Sequence, residues 1–173
     1  GVRIAPYGRV KPEEARTALA EQIKALADAG VDLIVIETMS DLYEIQEAIK
    51  AAKEVSMLAV VASVTFTRGD RTLLGDVPLT VARRIKGSGA DVIGVNCSGG
   101  PSQLLRILKQ MKLAVPDRSA KFWVKPNAGW PEQVGGRIMY PADAEYFGDY
   151  ALSFREAGAN IVGGCCGTTP QHI

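Results

Sequence analysis

A short sequence pattern occurs three times in the chain, each time where a helix-like segment gives way to a strand-like one. Its copies begin at Ala29-Gly30, Ser88-Gly89 and Ala157-Gly158. Each glycine follows a helical run and is the residue type that commonly ends a helix. A short, β-branched apolar run follows every copy, which is typical of a parallel strand buried on both faces. The repeat therefore restricts the chain to a fold that alternates helices with parallel strands.

The rest of the sequence extends this alternation to five helices and five strands. Pro12 followed by Glu13 and Glu14 predicts a helix start, because proline suits the first turn and acidic residues suit the positive end of the helix dipole. No hairpin is predicted between any two strands. The other helices are expected to begin at Ser40, Asp76 or Pro78, Pro101 and Pro141, and the other two strands to cover residues 58–65 and 121–125. The side chains predicted to face the core are Leu19, Ile23, Leu26, Ala27, Leu42, Ile45, Ile49, Leu104, Leu105, Leu108, Phe147, Leu152 and Phe154.

The order of elements predicts an α/β fold of the (β/α)8 TIM-barrel type. A dinucleotide-binding sheet is disfavoured, because no Gly-x-Gly-x-x-Gly turn follows the first strand. Eight βα units need about 250 residues, whereas the chain has 173. Residues 1–173 are therefore expected to form one partial domain with only the later five or so units, its N-terminal strands missing.

Composition and charge exclude several classes of partner. The net charge of +1 gives no indication of nucleic-acid binding. No apolar run approaches the roughly 20 residues that cross a bilayer. Three cysteines, two of them adjacent, make a poor disulfide framework. A reduced, cytoplasmic setting is therefore expected.

The polar residues of the repeat fall at shared offsets at the ends of the predicted strands. Glu37, Asn96 and Cys165 share one offset from the repeat glycine, and Thr38, Cys97 and Cys166 share the next. In a βα barrel these strand ends form the rim where active sites are assembled. The offsets therefore predict that all three cysteines lie on one rim, without any reference to known proteins.

Three thiolates on one rim predict a site for a soft or borderline metal such as Zn2+. A site with three protein sulfurs keeps a fourth position open for substrate. His172 is the only histidine in the chain and stands in its last three residues, so sulfur alone would hold the metal. Two alternatives stay open: simple packing of the cysteines, and a redox role for the Cys165-Cys166 pair.

Three stretches resemble the homocysteine S-methyltransferase family. They are Gly94-Val95-Asn96-Cys97-Ser98, Lys125-Pro126-Asn127-Ala128-Gly129, and the long run from Gly163-Gly164-Cys165-Cys166-Gly167 to Ile173. The resemblance covers nearly the whole chain but only the later part of the family's domain. The region around Tyr140 and Phe147 is most similar to enzymes in which this domain is fused to a methylenetetrahydrofolate reductase.

The resemblance implies a role for each site residue. Cys97, Cys165 and Cys166 would bind zinc, and Glu37 would accept a hydrogen bond from the amino group of homocysteine. Asn127 would be the exchangeable fourth ligand that substrate displaces, unless it only shapes a turn. The substrates implied are homocysteine and a methyl donor, which is methylfolate, methylcobalamin, S-methylmethionine or betaine. Thr38 stands where the betaine-using branch has tyrosine, which argues against that branch.

Two further questions stay open from the sequence. Asn96 either braces the rim or touches substrate. The chain is either a zinc-dependent methyltransferase that forms methionine or a truncated zinc-binding barrel without activity. A third possibility is a related thiol or selenol methylase with another acceptor, because Glu37 would recognise any α-amino acid.

Overall fold

The computed structural model describes residues 3–173, and the predicted domain start at Gly1 and Val2 lies outside the described residues. The elements in these residues alternate along the chain as the repeat predicted. The helices are α1 Pro12–Asp28, α2 Leu42–Val55, α3 Pro78–Gly87, α4 Pro101–Ala114 and α5 Ala144–Glu156, with a 3-10 turn at Pro170–His172. The strands are β1 Leu33–Met39, β2 Ala59–Val64, β3 Val92–Cys97, β4 Lys121–Pro126, β5 Glu132–Val134, β6 Arg137–Met139 and β7 Ile161–Val162.

Five strands form one parallel sheet in the order β1-β2-β3-β4-β7. Neighbours in this sheet follow one another in chain order, with a helix between every successive pair, which is the topology of consecutive βα units. The structure confirms the α/β fold class and the parallel sheet. One face of the sheet packs on the helices, where Ile34 and Ile36 of β1 join Ile45 and Ile49 of α2 in the buried core.

The repeat glycines end their helices as predicted. Gly30, Gly89 and Gly158 have φ values of 86°, 89° and 96°, in the left-handed region that glycine enters without a side-chain clash. Each stands just after the last turn of α1, α3 or α5. These turns send the chain into β1, β3 and β7, so the three copies of the repeat set up three equivalent strand ends.

The expectation that the strands are buried on both faces is wrong for the edge strands β1 and β7. Leu33 and Val35 are 41% and 37% exposed, and Ile161 and Val162 are similarly exposed. In β1 the exposed Leu33 and Val35 alternate with the buried Ile34 and Ile36, so the helices cover one face and the opposite, concave face is open at this edge. In β7 two consecutive residues are exposed, so neither face of this strand is buried. The inner strands β2 and β3 are buried over most of their length, as expected.

The prediction of no hairpin is wrong. Strands β5 and β6 pair antiparallel, and Gly135 and Gly136 link them with φ values of 56° and 79°. Two consecutive residues with positive φ are what the tight hairpin turn requires, and Gly-Gly is a typical sequence for it. Each strand has only three residues, all exposed, so no alternating apolar pattern marks the hairpin.

Two helix starts and two core positions also differ from the prediction. Asp41, not Ser40, caps α2 by accepting a hydrogen bond from the Tyr43 amide at 2.8 Å. Asp143 caps α5 two residues after Pro141, because its carboxylate accepts from the Tyr146 amide. A carboxylate one turn before the apolar stripe was the stronger signal in both places. Leu26 and Leu152 were predicted to be in the core but are 43% and 65% exposed.

Among the described helices, none combines the length and the apolar character of a membrane-spanning segment.

Candidate metal centre

The three cysteines meet at the C-terminal rim of the sheet. Cys97 ends β3, and Cys165 and Cys166 follow β7 after the bend at Gly163 and Gly164. Their Sγ atoms all lie within 4.8 Å of one another. The Sγ of Cys166 is 3.9 Å from that of Cys97 and 3.9 Å from that of Cys165. The structure therefore brings together the three cysteines that the repeat offsets placed on one rim.

Two of the three sulfur separations, those to the Cys166 Sγ, match the spacing around a tetrahedral metal. Zinc–thiolate bonds of about 2.3 Å in a tetrahedron place neighbouring sulfurs about 3.8 Å apart. All three cysteines are free thiols. Cys97 and Cys165 are half-buried and Cys166 is exposed, so solvent reaches one side of the cluster. Three sulfurs with an open side could hold a thiophilic metal and leave one position for another ligand.

The backbone is strained at the strand ends that carry the site. Thr38, Cys97 and Ser98 have φ values of 61°, 57° and 56°, which non-glycine residues seldom adopt. Hydrogen bonds from the end of β2 hold the turn in place: the Ser98 amide donates to the Thr65 hydroxyl at 3.1 Å, and the Phe66 amide donates to the Ser98 hydroxyl at 2.7 Å. Strain that the surroundings enforce is common at functional sites.

Asn96 connects the strand ends beneath the cysteines. Its Oδ1 accepts hydrogen bonds from the Thr38 amide at 2.9 Å and from the Ser63 hydroxyl at 2.7 Å. Its Nδ2 donates to the Thr38 hydroxyl at 2.7 Å and lies 3.9 Å from the Cys165 Sγ. The side chain is fully buried. Asn96 therefore contacts β1 through Thr38, β2 through Ser63, and Cys165 in the segment after β7.

Asn127 is buried behind the cysteine pair. Its Nδ2 donates to the Ser98 carbonyl at 3.0 Å, and its Oδ1 accepts from the Cys166 amide at 3.0 Å. The next residue continues this link, because the Ala128 amide donates to the Cys166 carbonyl at 2.9 Å. The carboxamide thus ties together the two backbone segments that bear Cys97 and Cys166.

Glu37 lies at the same rim and forms an ion pair that was not predicted. The Nζ of Lys125 is 2.9 Å from the Glu37 Oε2. The side chain of Glu37 is 42% exposed and that of Lys125 is 22% exposed. The Lys125 ammonium also lies 5.3 Å from the centre of the Trp123 ring. The predicted amino-group acceptor therefore already has a cationic partner.

Tyr140 is a residue at the site to which the sequence analysis gave no chemical role. Its ring lies against Gly167, where an added Cβ would be only 2.2 Å from the ring carbon Cγ. Desolvation of the phenol, followed by the charge of the Cys166 sulfur and a hydrogen bond with it, raises the pKa of Tyr140 above its ordinary value. Tyr140 follows the unpredicted hairpin, which explains why its position was not foreseen.

Other polar residues have structural contacts away from the sulfurs. Asp70 forms an ion pair with Arg106 and accepts a hydrogen bond from Gln103, so the loop at 68–71 is anchored to α4. His172 accepts or donates only within the final turn and to the Ala142 carbonyl. A cleft of about 380 Å³ is lined by Trp130, Tyr146 and neighbours, and it includes none of the predicted site residues.

Comparisons with known proteins agree on one family. The sequence profile described as homocysteine S-methyltransferase matches residues 2–173. The methionine synthases of Mycobacterium leprae and Mycobacterium tuberculosis are 28% and 30% identical to the chain, over 179 and 181 aligned residues. Both matches cover all of this chain, which spans only 15% of either relative's length.

Solved structures agree on the fold. The apo form of the homocysteine methyltransferase MmuM from Escherichia coli superimposes with a TM-score of 0.75 at 23% identity, covering 99% of this chain and 59% of that chain. Its metallated form gives a TM-score of 0.74, covering 95% and 50%. At this identity the likeness concerns the fold, and it supports assignment of the parallel sheet to a TIM-barrel-like architecture.

Proposed function

Because the chain belongs to the homocysteine S-methyltransferase family, we propose that its cysteine centre binds zinc and serves methyl transfer to homocysteine, forming methionine. The observation that carries the proposal is the group of three Sγ atoms within 4.8 Å of one another at the strand ends. The sulfurs come from two distant parts of the sequence, because Cys97 and Cys166 are 69 positions apart. Packing alone does not require such convergence of every cysteine in the chain.

Zinc held by Cys97, Cys165 and Cys166 would supply a deprotonated, nucleophilic thiolate, because a thiol bound to the metal loses its proton. The chain's own residues would orient that thiolate. Glu37 is proposed to accept a hydrogen bond from the substrate ammonium, and the strained turn at Cys97 would aim its sulfur across the rim. In the reaction the new bond joins sulfur to the methyl carbon, while the donor leaves with the electrons of the bond that breaks.

The two asparagines have separate proposed roles. Asn96 would brace the rim, because its buried amide already bonds to Thr38 and Ser63. Asn127 is proposed as the fourth zinc ligand, which the substrate thiolate would displace, as the family resemblance implies. Its Oδ1 accepts from the Cys166 amide, and the second lone pair of a carboxamide oxygen would be the one offered to the metal.

The proposal also covers the extent of the domain, the cellular compartment and the methyl donor. Residues 1–173 are proposed to be the later part of a homocysteine-binding barrel that acts in the cytoplasm. Family membership supports homocysteine and a methyl donor as substrates. The donor would be methylfolate, methylcobalamin, S-methylmethionine or betaine.

The test measures zinc per chain and methyl transfer in the reduced protein, with and without homocysteine. We expect about one zinc per chain and methionine formation with one of the four donors. Cys165→Ala should lose both zinc and turnover, since a three-sulfur site depends on each ligand. Met57→Ala is the matched control, because it removes a sulfur from a fully exposed position.

Each contrary outcome has a definite meaning. Zinc binding without turnover on any donor would favour the truncated, inactive zinc-binding barrel. Turnover with another thiol or selenol but not with homocysteine would favour the related methylase. Full activity in zinc-free Cys165→Ala protein would overturn the proposed centre.

A further inference from the structure

The Glu37–Lys125 ion pair crosses the concave face of the sheet. Glu37 belongs to β1 and Lys125 to β4, so two strands lie between them in the sheet order. Ser63 and Gly94 pair with each other on those two strands, and a Cβ at Gly94 would lie 2.6 Å from the Ser63 Cβ. The two strands that the ion pair spans therefore carry small side chains at this level of the sheet.

The ion pair also lies next to the cysteine centre. Lys125 pairs in register with Asn96, whose amide is 3.9 Å from the Cys165 Sγ. The Lys125 stem packs on Gly163, two residues before Cys165, where a Cβ would be 3.2 Å from the Lys125 Cγ. On the other side, Glu37 precedes Thr38, which bonds to the same Asn96 amide. An amino acid with its thiol at the cysteines would thus have its α-carbon near the ion pair.

We propose that Glu37 and Lys125 together form a receptor for the zwitterionic head of an α-amino acid, with Lys125 binding the α-carboxylate. The inference rests on the proposed function and assigns a specificity-determining role to Lys125. A ligand with only an ammonium group would have to displace Lys125 from Glu37 and leave that lysine unpaired. A ligand with only a carboxylate would leave Glu37 unpaired in the same way. The zwitterion alone replaces one ion pair by two, so neither protein charge loses its partner.

The surroundings of Lys125 support this arrangement. The ammonium lies 5.3 Å from the centre of the Trp123 ring, which attracts a cation by its negative face. Trp123 is therefore a second anchor that would keep Lys125 at the rim when Glu37 turns to the substrate ammonium. The side chain of Lys125 is 22% exposed, so solvent screens its charge less than that of a fully exposed lysine.

The test compares three thiols that differ only in charge: homocysteine, its decarboxylated analogue 3-aminopropanethiol and its deaminated analogue 4-mercaptobutanoate. Their dissociation constants are measured by calorimetry on the metal-loaded, intact protein, so that turnover is not needed. The unmodified protein should bind homocysteine about 10- to 100-fold more tightly than either analogue, as expected for loss of a hydrogen bond to a charged group. Lys125→Met should weaken homocysteine and 4-mercaptobutanoate while it strengthens 3-aminopropanethiol. Glu37→Gln should show the opposite preference between the two analogues.

The control is Lys125→Arg, which keeps the charge and should keep the preference for the zwitterion. If Lys125→Met weakens all three thiols equally, the lysine is only structural and the proposal is overturned. An unmodified protein that does not discriminate among the thiols, or does not bind them, also overturns it. If the exchange of preference occurs in a protein that transfers no methyl group, the zwitterion receptor stands and the proposed function fails.

Discussion

Thr38 and Cys97 occupy the same position in two copies of the repeat, and both adopt the left-handed backbone, with φ values of 61° and 57°. The two residues are also linked, because the Asn96 side chain that precedes Cys97 bonds to both the amide and the hydroxyl of Thr38. The same left-handed backbone conformation at the ends of β1 and β3 turns both segments toward the centre of the rim. The geometry of the site therefore depends on Thr38 and Asn96, which are proposed to bind neither metal nor substrate.

The hydroxyl of Thr38 is expected to matter for stability. Thr38→Val keeps the size of the side chain but leaves the buried Nδ2 of Asn96 without its 2.7 Å acceptor. An unsatisfied buried donor costs about 1–3 kcal/mol, so the free energy of unfolding should fall by about that amount in urea titrations. Thr38→Ser keeps the acceptor and should fall by less. Equal losses in the two variants would contradict the assigned hydrogen bond.

Asn127→Ala should separate the bracing role of this residue from its proposed ligand role. The substitution removes the acceptor of the Cys166 amide and the donor to the Ser98 carbonyl. Loss of a group that orients a metal ligand typically lowers metal affinity about 10- to 100-fold, which a competition titration with a chelator would measure. X-ray absorption on the homocysteine-free protein then gives the coordination. Loss of an oxygen ligand would support the exchangeable-ligand role, and unchanged coordination would leave only the brace.

Tyr140→Phe should make Cys166 more reactive without unfolding the protein. The Tyr140 ring lies against Gly167, the residue after Cys166, so loss of its hydroxyl would remove a group beside the Cys166 sulfur and give an alkylating reagent better access. Tyr140 is half-buried, so the free energy of unfolding should change by about 0.5 kcal/mol or less. The measurement is the alkylation rate of Cys166 in metal-free reduced protein, followed by peptide mass spectrometry, with Cys97 as internal reference. A selective increase for Cys166 is expected, and equal rates in both proteins would mean that the Tyr140 hydroxyl does not shield this sulfur.

Asp91 should give the fold a pH-dependent contribution away from the site. Hydrogen bonds from the Lys53 ammonium and from the Val60 amide lower the pKa of Asp91 below its ordinary value. A lowered folded-state pKa means that the stabilisation is complete above the unfolded pKa of about 3.9 and is lost as the pH falls through the folded value. Because this side chain is 47% exposed, the contribution should be only about 0.5–1 kcal/mol.

The measurement for Asp91 is the free energy of unfolding in urea, compared between Asp91→Asn and the unmodified protein from neutral pH down to pH values below the unfolded pKa of about 3.9. The variant should be less stable near neutral pH, and the difference should shrink as the solution is made more acidic. A difference that stays constant down to the acid end would mean that the carboxylate charge is not its source.

The convergence of the cysteines could be predicted because it follows from their fixed distance along the sequence from the repeat glycines. Once the repeat glycines define strand starts, equal offsets predict that Cys97 and Cys166 both follow the ends of their strands, and the structure places their Sγ atoms 3.9 Å apart. Helix ends at Gly30, Gly89 and Gly158 were predictable for the same reason, since glycine is the residue that the left-handed turn favours.

The Glu37–Lys125 ion pair and the position of Tyr140 could not be predicted in this way. The ion pair joins side chains from strands that are not neighbours, so its formation depends on the curvature of the sheet and on the small residues of the two strands between them. Tyr140 reaches Cys166 from the end of an exposed hairpin whose strands have no apolar alternation. The repeat determines which residues reach the rim but not which side chains from non-neighbouring strands touch.

The 69-residue separation between Cys97 and Cys166 has a consequence for folding. A metal bound to both sulfurs would act as a reversible cross-link between β3 and the chain after β7, at the edge of the sheet where only Ile161 and Val162 pair with β4. Because the ligand set exists only when that edge is assembled, metal affinity and the free energy of unfolding are thermodynamically linked. The chelator concentration at which the last strand separates would thus be a measure of how tightly the metal is held.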